Sequence, residues 1–220
     1  MAARRKYDDG CAAAHALDLI GDRWALLVVR ELLLGPKRFT DVLAGLPGAG
    51  PDMVTQRLRE LTGAGVVRRR RLPPPTPVWV YEVTAWGAEL EPVILALGRW
   101  GARSPGMCRD VAPGIDALML SLKVLFDPAQ DFTATVAVLV EGHCFEVHVD
   151  GDDLSVRRAE PEQPDVIIEG DLPTMYALLR TDRPLGQVFS APLPSRDREQ
   201  IERFRGLFRW PSEVPAEDRR

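Results

Sequence analysis

No stretch of this 220-residue chain approaches the roughly 18–20 consecutive apolar residues that a membrane-spanning helix needs. Arg4 and Arg5 stand near its start, but Asp8, Asp9, Asp18, Asp22 and Arg23 break up any secretory core. The reading is a soluble, cytoplasmic protein with no membrane partner. Cysteine is scarce as well: Cys11, Cys108 and Cys144 are odd in number and far apart, which gives neither a disulfide framework nor a zinc pattern. Reduced thiols are expected. Also missing are a Gly-rich phosphate loop, a Ser-centred elbow and paired carboxylates with a plausible pocket. No catalytic residue, cofactor or metal is therefore expected. His143, Cys144 and His148 do not change this. Strand alternation sets His143 opposite the other two, and no third ligand stands at a fixed spacing, so exposed strand polars are the better reading.

Apolar residues make up 45% of the chain and charged residues 27%, so it is globular rather than disordered. The net charge of −4 hides an asymmetry. Residues 1–103 hold 15 Lys/Arg against 11 Asp/Glu, whereas residues 104–220 hold 13 against 21. A basic front and an acidic back suggest two domains with different partners, the front suited to a polyanion.

In the front half, Ala13, Leu17 and Ile20 recur at helical spacing up to Gly21. Asp22 is a suitable N-cap for a second helix, RWALLVVRELLL, whose Trp24, Leu27, Val28 and Leu32 should face the core. A short helix through Phe39, Val42, Leu43 and Leu46 ends at the turn AGLPGAG. The next helix opens at Pro51, a good first-turn residue, and sets Val54, Leu58 and Leu61 toward the core. Its opposite side presents Asp52, Met53, Gln56, Arg59 and Glu60, with Thr55 and Arg57 on the flanks. A helix-turn-helix unit puts the N-terminal residues of its second helix on base edges; Gln suits adenine, and Arg suits guanine or phosphate.

On that helix alone, a plain solvated face explains the stripe equally well. The residues beyond it tip the balance. Val66 and Val67 lead into Arg68, Arg69, Arg70 and Arg71, then LPPPTP, then the strand-like VWVYEVT. This predicts a β-hairpin wing with a stiff proline tip and arginines at its base, placed to meet phosphates. Thr84 should cap a last helix through residues 85–102, bent at Pro92, whose stripe Leu90, Val93, Leu97 and Trp100 is either core or a dimer seam.

These motifs together resemble the HxlR family of winged-helix transcription regulators, related in form to MarR-type proteins. The matching residues are Cys11 with Leu17, IGDRW at 20–24, LLLGPKRFTDVL at 32–43, LPG at 46–48 and MVTQRLREL at 53–61. AGVV at 64–67, VYEVT at 80–84 and the closing LEPV and RWG complete the pattern, over roughly residues 7–103. The resemblance implies a transcriptional regulator, with repression as the expected sign. It would be a homodimer on double-stranded operator DNA, paired through the first and last helices of the domain. Carried over by position, Thr55, Gln56, Arg57 and Arg59 would read bases, while Lys37, Arg38 and the arginines at 68–71 would serve phosphates; Asp52, on the outer face of the same helix, is a further candidate DNA contact. Cys11 matches a thiol that some members use as a redox sensor, which leaves an oxidation-switched regulator open. The chain departs from the family in having Gly50 where Ser often caps the reading helix, and Cys11-Ala12 where Cys-Pro is common.

Residues 104–114 read as a linker. A helix through Ile115, Leu118, Met119, Leu122 and Phe126 should come next, then strands in FTATVAVLV, CFEVHV, DLSVRR and DVIIEG, then helices through LPTMYALLR and REQIERFRGLFRW. The fold class expected is a mostly α winged helix-turn-helix with a β-wing over 1–103, and an α+β domain with helices on an antiparallel sheet over 115–210. Residues 211–220 would be a frayed tail. The second half looks like the sterol-carrier-protein-like domain, although Pro192 and Pro194 stand where that family has a further strand. The resemblance implies a hydrophobic small-molecule effector, lined by Leu122, Phe126, Phe145, Met175, Leu179 and Phe204; a solid core explains the same residues. The domain would sense that effector or stabilise the dimer. A lipid-carrier or enzyme-like module that uses the winged helix only for pairing is the reading from another class.

Overall fold

The first helix, α1 (Ala12–Ile20), starts directly after Cys11, and the corner at 21–24 turns the chain into α2 (Ala25–Leu33). The computed structural model describes residues 6–74, 77–127, 132–180, 183–189 and 195–215, and the side chains of all but 195 and 196 of these. The proline tip of the wing at Pro75, the stretch bearing Pro192 and Pro194, residues 216–220 of the expected frayed tail, and residues 1–5 lie outside the described residues. The chain divides inside its sixth helix into one unit up to Ile94 and a second from Leu95.

Asp22 does not cap α2. The cap position belongs to Trp24, held in the left-handed region at φ 76°. The Asp22 carboxylate instead reaches Arg57 NH1 at 2.6 Å. Leu27 is also 38% exposed, because α2 turns Val28, Val29, Glu31 and Leu32 inward. α3 (Phe39–Ala44) and α4 (Pro51–Gly63) come next, joined by a turn in which Gly48 takes φ 88°, a conformation that favours glycine. Val54, Leu58 and Leu61 of α4 are at most 1% exposed and pack with Val28, Val29, Leu32, Val42 and Leu46.

β1 (Val67–Arg71) and β2 (Trp79–Val83) form an antiparallel hairpin in register from Val67↔Val83 to Arg71↔Trp79. Lys37 adds a one-residue third strand: its N–H donates to Tyr81 O at 2.9 Å, and Tyr81 N–H returns a bond to Lys37 O at 2.8 Å.

The helix expected over 85–102 is two, α5 (Ala85–Ala88) and α6 (Glu91–Gly101). Pro92 is the cause. Its ring would clash with the carbonyl four residues back, at Ala88, so the first helix stops there and Pro92 sits in the first turn of the next. Thr84 Oγ1 caps α5, accepting from Gly87 N–H at 3.0 Å and donating to Gly65 O at 2.7 Å. A Cβ on Gly87 would run into the carbonyl of Val66. Gly87→Ala should therefore cost about 1–3 kcal/mol, read as a lowered Tm; an unchanged melt would contradict this packing.

In the second unit, α7 (Ile115–Leu125) precedes β3 (Thr133–Val140), β4 (His143–Asp150), β5 (Asp153–Arg157) and β6 (Val166–Gly170), and then α8 (Leu172–Leu178), α9 (Leu185–Val188) and α10 (Ser195–Arg205). The sheet order is β5-β4-β3-β6, with β6 parallel to β3, so the sheet is mixed and not antiparallel as expected. The chain leaves β5 at one edge and returns at the other. Strand alternation encodes which face is buried but not the direction in which a strand pairs. Asp171 starts α8, its carboxylate accepting Thr174 N–H at 2.9 Å. Arg109 lies within residues 104–114, the stretch expected as a linker. Arg109 O accepts from Tyr176 O–H and from Arg180 NH1, each at 3.0 Å.

Candidate nucleic-acid interface

α4 owes its orientation to its buried stripe, which leaves Asp52, Met53, Thr55, Gln56 and Arg59 exposed. The Pro51 ring fits the first turn without losing a helix hydrogen bond, and Gly50 sits at the cap with no side chain to add one. Thr55 Oγ1 donates to Pro51 O at 2.8 Å, and Gln56 Nε2 donates to Glu60 Oε1 at 3.0 Å. Both bonds are at the surface, where they exchange cheaply for other partners.

Arg57 is not part of that face. It is 6% exposed and its NH1 lies 2.6 Å from Asp22 and 2.8 Å from Glu60, so it braces α4 against the corner before α2. Lys37 is likewise drawn inward. Its Nζ meets Glu31 Oε2 at 2.8 Å, while Arg30 NH2 meets the other oxygen at 2.8 Å, and Glu31 is 1% exposed. Arg38, at the cap position of α3, stays exposed, its own N–H bonded to Asp41 Oδ2 at 3.3 Å.

The four wing arginines fare differently from one another. Arg68 and Arg70 each donate Nε–H to one oxygen of Glu82, both at 2.7 Å. Burial alone would raise the Glu82 carboxyl, but hydrogen bonds from Arg70 and Arg68 hold it below the usual carboxylate range, so it is ionised and fully engaged. Arg69 stacks 4.5 Å from the centre of the Trp79 ring, and Arg71 is exposed. The sequence had not shown Asp22, Glu31 and Glu82 as partners of expected DNA contacts. Only Glu82 left a signal, since a hairpin centred on 72–78 sets it across from Arg68.

Cys11 is exposed at the start of α1, where the backbone N–H groups of Ala14 and Ala13 lower the thiol from its ordinary value. Burial raises the Cys144 thiol. A groove of about 220 Å³ that sequence reasoning missed is lined by Ala16, Leu19, Ile20, Val66, Trp86, Glu89 and Leu90. Of the six residues proposed to line an effector site, Leu122, Phe145, Met175, Leu179 and Phe204 are at most 3% exposed. Phe204 stands edge-on to Phe208 at 4.9 Å, and Phe126 lies 6.3 Å from Phe208. Among the described residues no group of three His, Cys, Asp or Glu could hold a metal ion, and no helix is long and apolar enough to cross a membrane.

A short helix, a turn, a second helix with a polar outer face and an arginine-bearing hairpin together define the winged helix-turn-helix class. The model of the HxlR-like helix-turn-helix family matches residues 19–106. The uncharacterised HTH-type transcriptional regulator sll1512 of Synechocystis sp. is 37% identical over 92 residues, 42% of this chain and 68% of its own length. YybR of Bacillus subtilis, of the same description, is 32% identical over 111 residues, 46% of this chain and 89% of its own. The HTH-type transcriptional regulator YodB of Bacillus subtilis is 37% identical over 86 residues, 39% of this chain and 76% of its own. The reduced form of YodB superposes on 44% of this chain and 97% of that chain, at 29% identity and a TM-score of 0.39, and a quinone-bound form of it is also known. The chain belongs to the HxlR-like helix-turn-helix family.

Proposed function

We propose that this chain is a sequence-specific, DNA-binding transcriptional regulator, acting in the cytoplasm as a homodimeric repressor. The observation that carries this reading is α4: one side is sealed into the core, and the other offers Thr55, Gln56 and Arg59 to solvent ahead of an arginine wing. Arg38, Arg69 and Arg71 supply exposed charge for phosphates. Pairing is supported by exposed apolar residues on the first and last helices of the domain. α1 exposes Leu17, and α6 exposes Val93, Leu97 and Trp100 along one face, with Trp100 76% exposed. The acidic second unit, which resembles the sterol-carrier-protein-like domain in sequence, binds a hydrophobic effector or steadies the dimer. An effector changes operator affinity only through unequal binding to the DNA-competent and incompetent shapes. An electrophoretic shift with the DNA upstream of the chain's own gene tests the proposal, and failure to shift any promoter fragment at low salt would sink it.

A second reading, oxidation switching through Cys11, is favoured by that thiol's exposure and lowered pKa. The relation to YodB, known in reduced and quinone-bound forms, supports it. Near neutral pH, iodoacetamide should alkylate Cys11 well before Cys144, as read by peptide mass spectrometry. Equal rates, or DNA binding blind to oxidant in the unsubstituted chain, would remove this switch.

A further inference from the structure

The four wing arginines stand on two faces of one hairpin, because successive strand residues point to opposite sides. Arg68 and Arg70 share a side with Glu82, which pairs with Arg68 across the ladder. Their Nε–H groups occupy both of its oxygens at 2.7 Å, and the Glu82 side chain is only 11% exposed. Arg69 and Arg71 share the other side with their ladder partners Tyr81 and Trp79. The Arg69 guanidinium lies 4.5 Å from the centre of the Trp79 ring and 5.9 Å from that of Tyr81. Trp79 itself is 53% exposed. Among the described residues neither Arg69 nor Arg71 has a carboxylate partner.

The geometry points to a division of labour within the wing, resting on the DNA-binding reading above. Arg69 and Arg71 are its phosphate contacts, Trp79 holds Arg69 extended for that contact, and Glu82 retains Arg68 and Arg70 as a clamp on the hairpin. A phosphate that drew Arg68 or Arg70 away would have to displace a carboxylate already bonded, and would leave one oxygen of the nearly buried Glu82 without its partner. Arg69 gives up nothing comparable. A guanidinium stacked by its flat face on an indole keeps its edge N–H donors free for an anion. The interaction surface is thus one side of the hairpin, suited to the backbone of duplex DNA, although all four arginines are close neighbours in sequence.

Two doubly substituted full-length chains with the same loss of charge separate the two faces: Arg69→Gln/Arg71→Gln and Arg68→Gln/Arg70→Gln. Each is titrated by fluorescence anisotropy against a labelled duplex of scrambled sequence over a salt series. In a homodimer with two wings, losing both contacts from each stacked face should flatten the slope of log K against log salt by about 3.6, at about 0.9 per phosphate contact. The clamp variant should change it by less than about 0.5. If the clamp variant melts early, Arg68→Gln/Arg70→Gln/Glu82→Gln leaves no buried charge unpaired and carries the same expectation. Trp79→Ala should weaken binding several-fold at an unchanged slope, because the contact survives but is less well held. Equal flattening by the two doubles, or flattening confined to the clamp, overturns the division. Wild-type affinity from Trp79→Ala removes its positioning role. An unsubstituted chain with no salt-dependent affinity for duplex removes the DNA-binding reading itself, and this one with it.

Discussion

Glu31→Gln should lower the stability of the N-terminal unit by about 3 kcal/mol, near the lower end of what breaking a buried ion pair costs. Glu31 is 1% exposed and is gripped from two sides, by Arg30 NH2 and Lys37 Nζ, each at 2.8 Å. Arg30 retains some access to water, but Lys37 is buried, and the substitution leaves its ammonium facing a neutral amide. The damage also spreads through the backbone. Lys37 carries the two hydrogen bonds that seat β2, so a displaced Lys37 loosens the base of the wing. Urea denaturation measures the loss, and a change under about 1 kcal/mol would place the pair among solvated surface contacts. Glu31→Leu/Lys37→Met should recover much of what the single change costs, since it removes the buried ammonium together with the carboxylate and deprives only Arg30, which reaches water, of that partner.

The second large effect is on DNA. Gln56→Ala and Arg59→Ala should each cost about 1–3 kcal/mol at particular base pairs of the operator, with little change elsewhere. Both side chains are exposed on the outer face of α4, and the bond from Gln56 to Glu60 is a surface bond that an adenine edge can replace. Arg57→Ala, one residue away from Gln56, should act otherwise. It removes the brace to Asp22 and Glu60 and so lowers stability for every sequence alike. Competition binding with single base-pair variants separates the two patterns. A Gln56→Ala chain whose base preferences match the unsubstituted chain would remove Gln56 from the reading face.

α4 was legible because periodicity answers a question of faces. Val54, Leu58 and Leu61 at i, i+4 and i+7 fix the buried side, and that determines which residues opposite them are exposed. The hairpin was legible through its alternation and the prolines between its strands. Periodicity does not name partners, however. Arg57, Lys37, Arg68 and Arg70 all look like free cations in the sequence, and each is held by a carboxylate from another element: Asp22, Glu31 or Glu82. Of the expected cationic contacts, Arg38, Arg59, Arg69 and Arg71 have no carboxylate partner among the described residues. Pro92 was visible, but whether a proline bends a helix or starts a new one depends on where the preceding helix is capped, here by Thr84. The parallel pairing of β6 with β3 was hidden for a different reason. It depends on the route of the chain between strands, which the residues of the strands themselves do not specify.

The most direct test of the central claim is a hydroxyl-radical footprint of the full chain on its upstream DNA, with Arg59→Ala run alongside. A dimer reading DNA through α4 predicts two protected half-sites centred about one helical turn, roughly 10 base pairs, or a multiple of it apart. Arg59→Ala should weaken that protection without unfolding the protein. Uniform protection along the fragment, or the same two half-sites at full strength with Arg59→Ala, would contradict it.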